Sequence, residues 1–287
     1  LPDGNPVDYG SPEAKRERLK EYFKRVSHTV SGKRKSIGVS SLILDLRSKA
    51  EHMAEHIRKN EWLTTRDGHQ FFNGHYSNLG ERVHGDHPLG LRMDLTSQVM
   101  PVMCDVAGTD QIGEIWKSAT QVLKDKDSDG LRLCTDFKEL DLNIGRVTGF
   151  VYGNKEHGSK WMQQNIMLAY GLYKRGFLKE GNDILQQVFR LAFHSESSLI
   201  FPGVPSYFNN DNRGAYAYLT GSSSWLLITY LTMVFGVRGE EGNLAIQPAL
   251  MKEQFDEAGS ASANFQFAGK KVVLVYKNPG LLDVDDY

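Results

Sequence analysis

Only two of the 287 residues are cysteine, Cys104 and Cys134, too few for the disulfide framework of a small secreted scaffold. A chain of this length needs no such framework, because 40% hydrophobic content is ample for a buried core. Charge of one sign is also missing: the net charge of −1 gives no electrostatic case for nucleic acid or an anionic membrane. No apolar run reaches the ~20 residues of a spanning helix. The longest, Trp225 to Val237, is broken by Thr229 and Thr232. The chain opens Leu-Pro-Asp-Gly, with no initiator Met and no charged-then-apolar leader. These absences predict a soluble protein in a reduced, cytosolic setting, and a start that is processed or truncated.

What is present is mostly helical periodicity. Ser11-Pro12-Glu13 reads as a helix start, Ser as N-cap and Pro at the first helical position, with Leu19, Tyr22, Phe23 and Val26 following at helical spacing. Leu42 to Lys59 repeats the pattern through Leu42, Leu46, Met53 and Ile57, and further helices are predicted over 95–106, 112–124, 161–173, 182–193 and 222–235. Gln70 to Val83 has aromatic-rich arms around Asn73-Gly74 and predicts a hairpin inserted between helices. After Gly239 the texture changes. Ala261 to Phe267 and Lys271 to Tyr276 alternate apolar and polar residues about Ala268-Gly269, as antiparallel strands do. The prediction is a mainly α protein, with a helical domain over 1–238 and a small antiparallel β cap over 239–287.

Two short motifs suggest metals. His52, Glu55 and His56 match H-x-x-E-H, in which two His one turn apart bind zinc. Yet EHMAEHIRKNE is charged on one face and apolar on the other, which sets these His on a solvated stripe, and no third ligand follows. Asp125, Asp127, Asp129, Gly130 and Asp136 have EF-hand spacing, with Asp in place of the closing bidentate Glu. LRLCTDFKELDLN beyond them lacks a helical period, so an ordinary Asp/Gly turn is the better reading and no metal is expected.

The densest signal lies in IFPGVPSYFNNDNRGAYAYLTGSSSWLL, Ile200 to Leu227, where a Pro-Gly-Val-Pro turn and an Asn/Asp/Arg loop precede an apolar helix. Flat aromatic faces stack on sugar rings, and Asn, Asp and Arg in a loop supply directional hydrogen bonds to hydroxyls and anions. With Gly145 to Phe150, the Lys155-Glu156 pair and Tyr218 to Trp225, this forms a long ordered signature. It resembles the cellobiose phosphorylase family of inverting glycoside phosphorylases, glycoside hydrolase family 94, and within it the members acting on 1,2-linked β-glucans. The likeness runs from about Leu42 to the C-terminus.

The resemblance implies an (α/α)6 toroid, or its C-terminal part, and phosphorolysis of β-linked glucan oligosaccharides to α-glucose 1-phosphate, with inorganic phosphate as co-substrate and no cofactor. Phosphate is the nucleophile and a carboxylic acid protonates the leaving oxygen. By the same resemblance Lys155 and Glu156 contact sugar, with Tyr152, Trp161, Tyr207 and Arg213 as further substrate contacts. Thr220 and Gly221 meet phosphate at a helix start. Gln163 stands where the family carries a phosphate-binding His, and Ser206 where it has Glu or Gln. The family's acid lies in an Asn-Asp motif upstream of the matching region. No such motif precedes Leu42, and Asp3, Asn5 and Asp8 sit in a turn-rich leader. The expected partners are therefore the glucan, phosphate and the missing N-terminal part of the same enzyme, with a homodimer when complete. Two alternatives stay open: a hydrolase or transglycosylase that has lost phosphate use, and a noncatalytic glycan-binding subunit.

Overall fold

The computed structural model describes residues 11–30, 32, 34–126, 128–200, 203–217 and 221–286. The chain divides into two compact units between Glu51 and His52. In the first unit, helix α1 (Pro12–Val26) starts as its sequence predicts: Ser11 Oγ accepts the Ala14 N–H at 3.2 Å and Pro12 takes the first turn. Helix α2 (Val39–Asn60) runs across the division.

The second unit holds a hydrophobic core assembled from helices, short strands and long ordered loops. Strands β1 (Trp62–Thr64) and β2 (Gln70–Phe72) pair antiparallel. The hairpin predicted over Gln70 to Val83 thus forms elsewhere. Phe72 pairs back to Trp62 around a Thr65–His69 turn with Gly68 at φ +82, and of the 70–83 stretch only Tyr76 and Arg82 face each other, across a single bridge. Asp67-Gly68 is the stronger turn signal, since its Gly takes a left-handed conformation at no steric cost. Helices α3 (Thr96–Met103), α4 (Thr109–Val122), α5 (Met162–Lys174), α6 (Leu178–Phe193) and the single turn α7 (Ser195–Ser198) follow. Strand β3 (Lys160–Trp161) leads into α5 and forms a three-stranded antiparallel sheet with β4 (Tyr207–Phe208) and β5 (Gly214–Ala215). Helix α8 (Gly221–Thr229) continues into a π-helical turn at Tyr230–Val234. Among the described residues, 61–95 and 123–159 contain no α-helix, which is more irregular chain than the helical periodicity predicts.

Helix α5 is the hub, packed by α3, α6 and α8. Its buried Met162, Ile166, Leu168, Ala169 and Leu172 face those neighbours, and Gly171 lets the Met103 main chain approach so closely that a Cβ would sit 3.2 Å from its nitrogen. Burying such side chains stabilises by about 1.5–3 kcal/mol each. The same core takes in Val234, Leu250 and Ala261. Strands β6 (Val237–Glu240) and β7 (Asn243–Ile246) turn at Glu241-Gly242, and β8 (Ser260–Phe267) and β9 (Lys270–Lys277) at Ala268-Gly269. Both turns hold two consecutive residues at positive φ, the geometry that matches strand twist in a two-residue hairpin. The second is the hairpin predicted from alternation; the first passed unread. Gly239 lies within β6, so helix gives way to strand just before it. Among the described residues every strand pairing is antiparallel.

Polar side chains inside this core act as rivets. Gln98 is fully buried; its Oε1 accepts the Phe72 N–H at 2.9 Å and its Nε2 donates to Phe72 O at 2.9 Å and Asp94 O at 3.0 Å. Asn165 on α5 does the same for the loop before β3, accepting from Leu131 N at 2.8 Å and donating to Leu131 O at 2.9 Å. Gln98→Met keeps the volume and strands the Phe72 amide, so it should destabilise by about 1–3 kcal/mol. Urea denaturation with an unchanged slope and a lowered midpoint is the expected result.

Candidate functional site

Lys155 and Glu156 occupy the tip of a tight turn. Gly153 N–H donates to His157 O at 2.7 Å and His157 N–H to Asn154 O at 3.1 Å, which forces Lys155 to φ +47. Gly153 cannot be replaced: it sits at φ +90, and a Cβ there would lie 1.9 Å from Asn210 Oδ1. The His157 ring is spent on the loop, its Nδ1 bonding Phe150 O at 2.7 Å and its Nε2 accepting the Phe137 N–H at 3.2 Å. At the tip, Arg146 pairs with Glu156 Oε1, and the Lys155 ammonium stands 5.1 Å from the Phe150 ring centre. Glu156 Oε2 is buried with no partner among the described residues.

The loop of the β4–β5 hairpin meets this turn. Asn209 Oδ1 accepts the N–H groups of Asp211 and Arg213, both at 3.0 Å, closing an Asx turn, and Asn212 takes φ +57. Asn210 Nδ2 donates to Tyr152 O at 2.9 Å. Arg132 clamps the junction. Its Nε and Nη2 grip Asp125 at 2.6 and 2.7 Å, and its Nη1 donates to Gly158 O at 2.6 Å and Asn210 Oδ1 at 2.9 Å. The Tyr152 ring lies under that guanidinium, 5.0 Å from its carbon, and edge-on to His157, so it packs the loop. Fully buried Lys160 donates to Asn212 Oδ1 at 2.6 Å, and burial lowers its pKa against the opposing pull of Asp125.

Two predicted aromatics form one platform: Trp161 and Tyr207, opposed across β3 and β4, stack at 5.3 Å with planes 23° apart. The Tyr207 hydroxyl meets the Lys155 main chain, which joins the platform to the turn. Behind it, Gln163 in the first turn of α5 abuts the start of α8. A Cβ on Gly221 would lie 2.7 Å from Gln163 Oε1. The adjacent Ser222 hydroxyl is buried with no partner among the described residues. Arg213 is exposed at the loop tip, while Ser206 joins β3 and β5 through its main chain, accepting from Met162 N at 2.9 Å and donating to Ala215 O at 3.1 Å. Thr220 and Tyr218 lie outside the described residues, as do Asp127, Asp3, Asn5 and Asp8. Lys155, Glu156, Trp161, Tyr207, Gln163 and Gly221 are thus linked through direct neighbours, with Tyr152 beneath and Arg213 at the edge.

On the other side of Glu156 lies a cavity of about 340 Å³ whose lining includes His75, His84, Asp94, Cys134, Arg146 and Glu156. The sequence reading passed over its central group. Asp94 precedes α3, where its Oδ1 accepts the Ser97 N–H at 2.7 Å, an N-cap contact that its place before Leu-Thr-Ser could have signalled. Its Oδ2 accepts from Ser97 Oγ at 2.7 Å, and bonds His84 Nε2 at 2.8 Å and His75 Nδ1 at 3.0 Å. Those two hydrogen-bond the carboxylate's charged form, holding its pKa far below the ordinary range despite burial, which opposes them. The same bond raises His75 above its usual 6.5. Burial pushes the Cys134 thiol up to about 12, so it is neutral. Gly74 is required here too, because a Cβ would lie 1.8 Å from Ser97 Oγ.

Two histidines and a carboxylate could hold a metal, and among the described residues this is the group whose donor atoms converge, within 4.8 Å of one another. The hydrogen bonds assign them to each other instead. His84 Nδ1 accepts the Gly74 N–H at 3.2 Å, so Nε2 carries the ring proton and points it at Asp94. A metal on Nε2 would need the opposite tautomer, with two N–H groups facing. Of the other two metal motifs, His52, Glu55 and His56 are exposed on α2, while Asp125 pairs with Arg132 and Asp129 with Arg190, both contacts of the latter at 2.8 Å.

A family model described as "Glycosyl hydrolase 94 superfamily, catalytic domain" matches residues 43–236. A protein named solabiose phosphorylase, from Paenibacillus borealis, is 23% identical over 239 residues. The match covers 80% of this chain and 30% of that protein, so the chain spans about a third of its relative's length. No helix among the described residues is long and apolar enough to cross a membrane.

The Asp94 cluster makes a pH-dependent prediction. His75 gains its partner on folding and its pKa rises, so its contribution is complete below about 6.5 and is lost as pH rises through the higher folded value. Asp94→Ala leaves His84 and Ser97 without their acceptor and should cost about 3–5 kcal/mol. It should also abolish the loss of stability as pH rises from about 6.5 through the raised pKa of His75. Denaturation midpoints of the two proteins across that range check both.

Proposed function

The chain belongs to the glycosyl hydrolase 94 superfamily, and on that premise we propose that it serves reversible phosphorolysis of β-linked glucan oligosaccharides, 1,2-linked ones first, giving α-glucose 1-phosphate. The observation that carries this reading is the union of a sugar platform with an anion cradle. Trp161 and Tyr207 present stacked rings beside Lys155 and Glu156, and Gln163 and Ser222 bracket Gly221 at the start of α8. Backbone N–H groups at a helix start favour an anion. Phosphate bound there would attack the anomeric carbon from the face opposite the leaving oxygen, as inversion requires.

In this proposal the helical part, 1–238, is the C-terminal portion of an (α/α)6 toroid and 239–287 is its β cap, in a cytoplasmic enzyme that dimerises when complete. The proton donor comes from a segment outside this chain, since no Asn-Asp motif precedes Leu42, where the family resemblance begins. Gln163 supports a second reading, in which water replaces phosphate. It hydrogen-bonds but carries no charge, so its hold on an anion is weaker than that of a histidine.

Calorimetric titration with a 1,2-β-linked gluco-oligosaccharide, with and without inorganic phosphate, tests the proposal. The chain should bind the oligosaccharide more tightly with phosphate present, and release no glucose 1-phosphate. Gly221→Ala sets a methyl against Gln163 Oε1, and should cost about 1–3 kcal/mol of the phosphate-dependent binding while leaving the fold intact. Phosphate-independent binding would favour the hydrolase reading, and release of glucose 1-phosphate would place the acid within the chain.

A further inference from the structure

The Asp94 carboxylate has no hydrogen-bonding capacity left for a ligand. Its oxygens take two contacts from Ser97 and one each from His84 and His75. Because it is ionised, it only accepts, so His75 Nδ1 must carry a proton and donate it. His84 accepts the Gly74 N–H on Nδ1 and faces Asp94 through Nε2. What remains is the second nitrogen of His75, on a side chain that is 61% exposed and lines the cavity shared with Glu156. Glu156 also lines that cavity, with its Oε2 buried and without a partner among the described residues. The arrangement leaves one imidazole nitrogen beside a space of about 340 Å³, within the size range of small-molecule sites.

We propose that His75 is a ligand-binding residue of this site, its Nδ1–H held by Asp94 so that Nε2 hydrogen-bonds a hydroxyl of the bound sugar on the side facing Glu156. The inference rests on the glycan reading above. A sugar hydroxyl both donates and accepts, so either form of His75 makes the contact, but the charged imidazolium makes the stronger bond. Sugar binding therefore raises the proton affinity of His75. Above the pKa of the free protein, binding takes up protons from solution.

The groups around His75 leave it as the one that responds. Asp94 stays ionised, the His84 ring lies edge-on at 5.4 Å with its tautomer fixed, and the Cys134 thiol is neutral. Tyr76 donates its hydroxyl to Glu61, beside Arg82, and Arg146 is paired with Glu156.

Titration calorimetry with a 1,2-β-linked gluco-oligosaccharide, in two buffers of different ionisation heat at a series of pH values above about 6.5, reads both affinity and proton exchange. The full chain should take up a fraction of a proton per sugar bound. His75→Gln keeps a hydrogen-bonding group on an exposed position, and should bind about tenfold more weakly with no proton uptake. Asp94→Asn, which keeps the imidazole and removes the charge behind it, should move the uptake to lower pH. Equal affinity in His75→Gln, or uptake that persists in it, overturns the assignment of His75 while leaving the glycan reading intact. Failure of the unsubstituted chain to bind any gluco-oligosaccharide overturns both.

Discussion

The site depends on one guanidinium. Arg132 directs its Nε and two Nη groups at three partners that belong to different parts of the chain: Asp125 before it, Gly158 behind the Lys155-Glu156 turn, and Asn210 in the β4–β5 loop. Neither loop has regular structure to hold it, and each carries residues in the left-handed region, Lys155 and Asn212. Such conformations cost of order 1 kcal/mol or more and persist only where surroundings impose them. A planar fork with rigid donor directions can impose a geometry that a flexible ammonium cannot. Lys160 adds the second anchor, reaching Asn212 from beneath while its own charge is compensated by Asp125 at 3.6 Å.

From this constraint the rest of the candidate site follows. With the β4–β5 loop fixed, Tyr207 stacks on Trp161 and its hydroxyl meets the Lys155 main chain. Since β3 runs straight into α5, the same strand that places Trp161 also sets Gln163 against Gly221. The Trp161–Tyr207 stack and the Gln163–Gly221 contact therefore both depend on one short segment, Lys160 to Gln163. The Asp94 cluster enters from the opposite side, tied to the core by Gln98 and to Glu156 through the shared cavity.

Much of this was legible in the sequence, and the exceptions are physical. Helices α3 to α6 announce themselves because each buries one face, so apolar residues recur at helical spacing, and their ends, like those of α8, fall within a few residues of the expected ones. The β8–β9 hairpin follows from alternation about Ala268-Gly269. The β1–β2 pairing was missed because the aromatic weight of 70–83 outweighed the plainer Asp67-Gly68 turn. Trp161, Tyr207, Lys155 and Glu156 were nominated by family resemblance, and their convergence depends on contacts across about 50 residues that no local pattern records. Arg132 sits in LRLCTDF, where nothing distinguishes it from a solvated cation. His75, His84 and Asp94 follow no motif spacing, since two loops and a helix start bring them together.

Native-state hydrogen exchange of Arg132→Lys tests the central claim most directly. Lysine keeps the charge and removes the fork, so amide protection should fall together at 152–158 and at 207–213, while α3, α5 and α6 exchange as before. Loosening of one loop without the other, or unchanged protection at both, would show that the two halves of the site are held independently and would contradict the account.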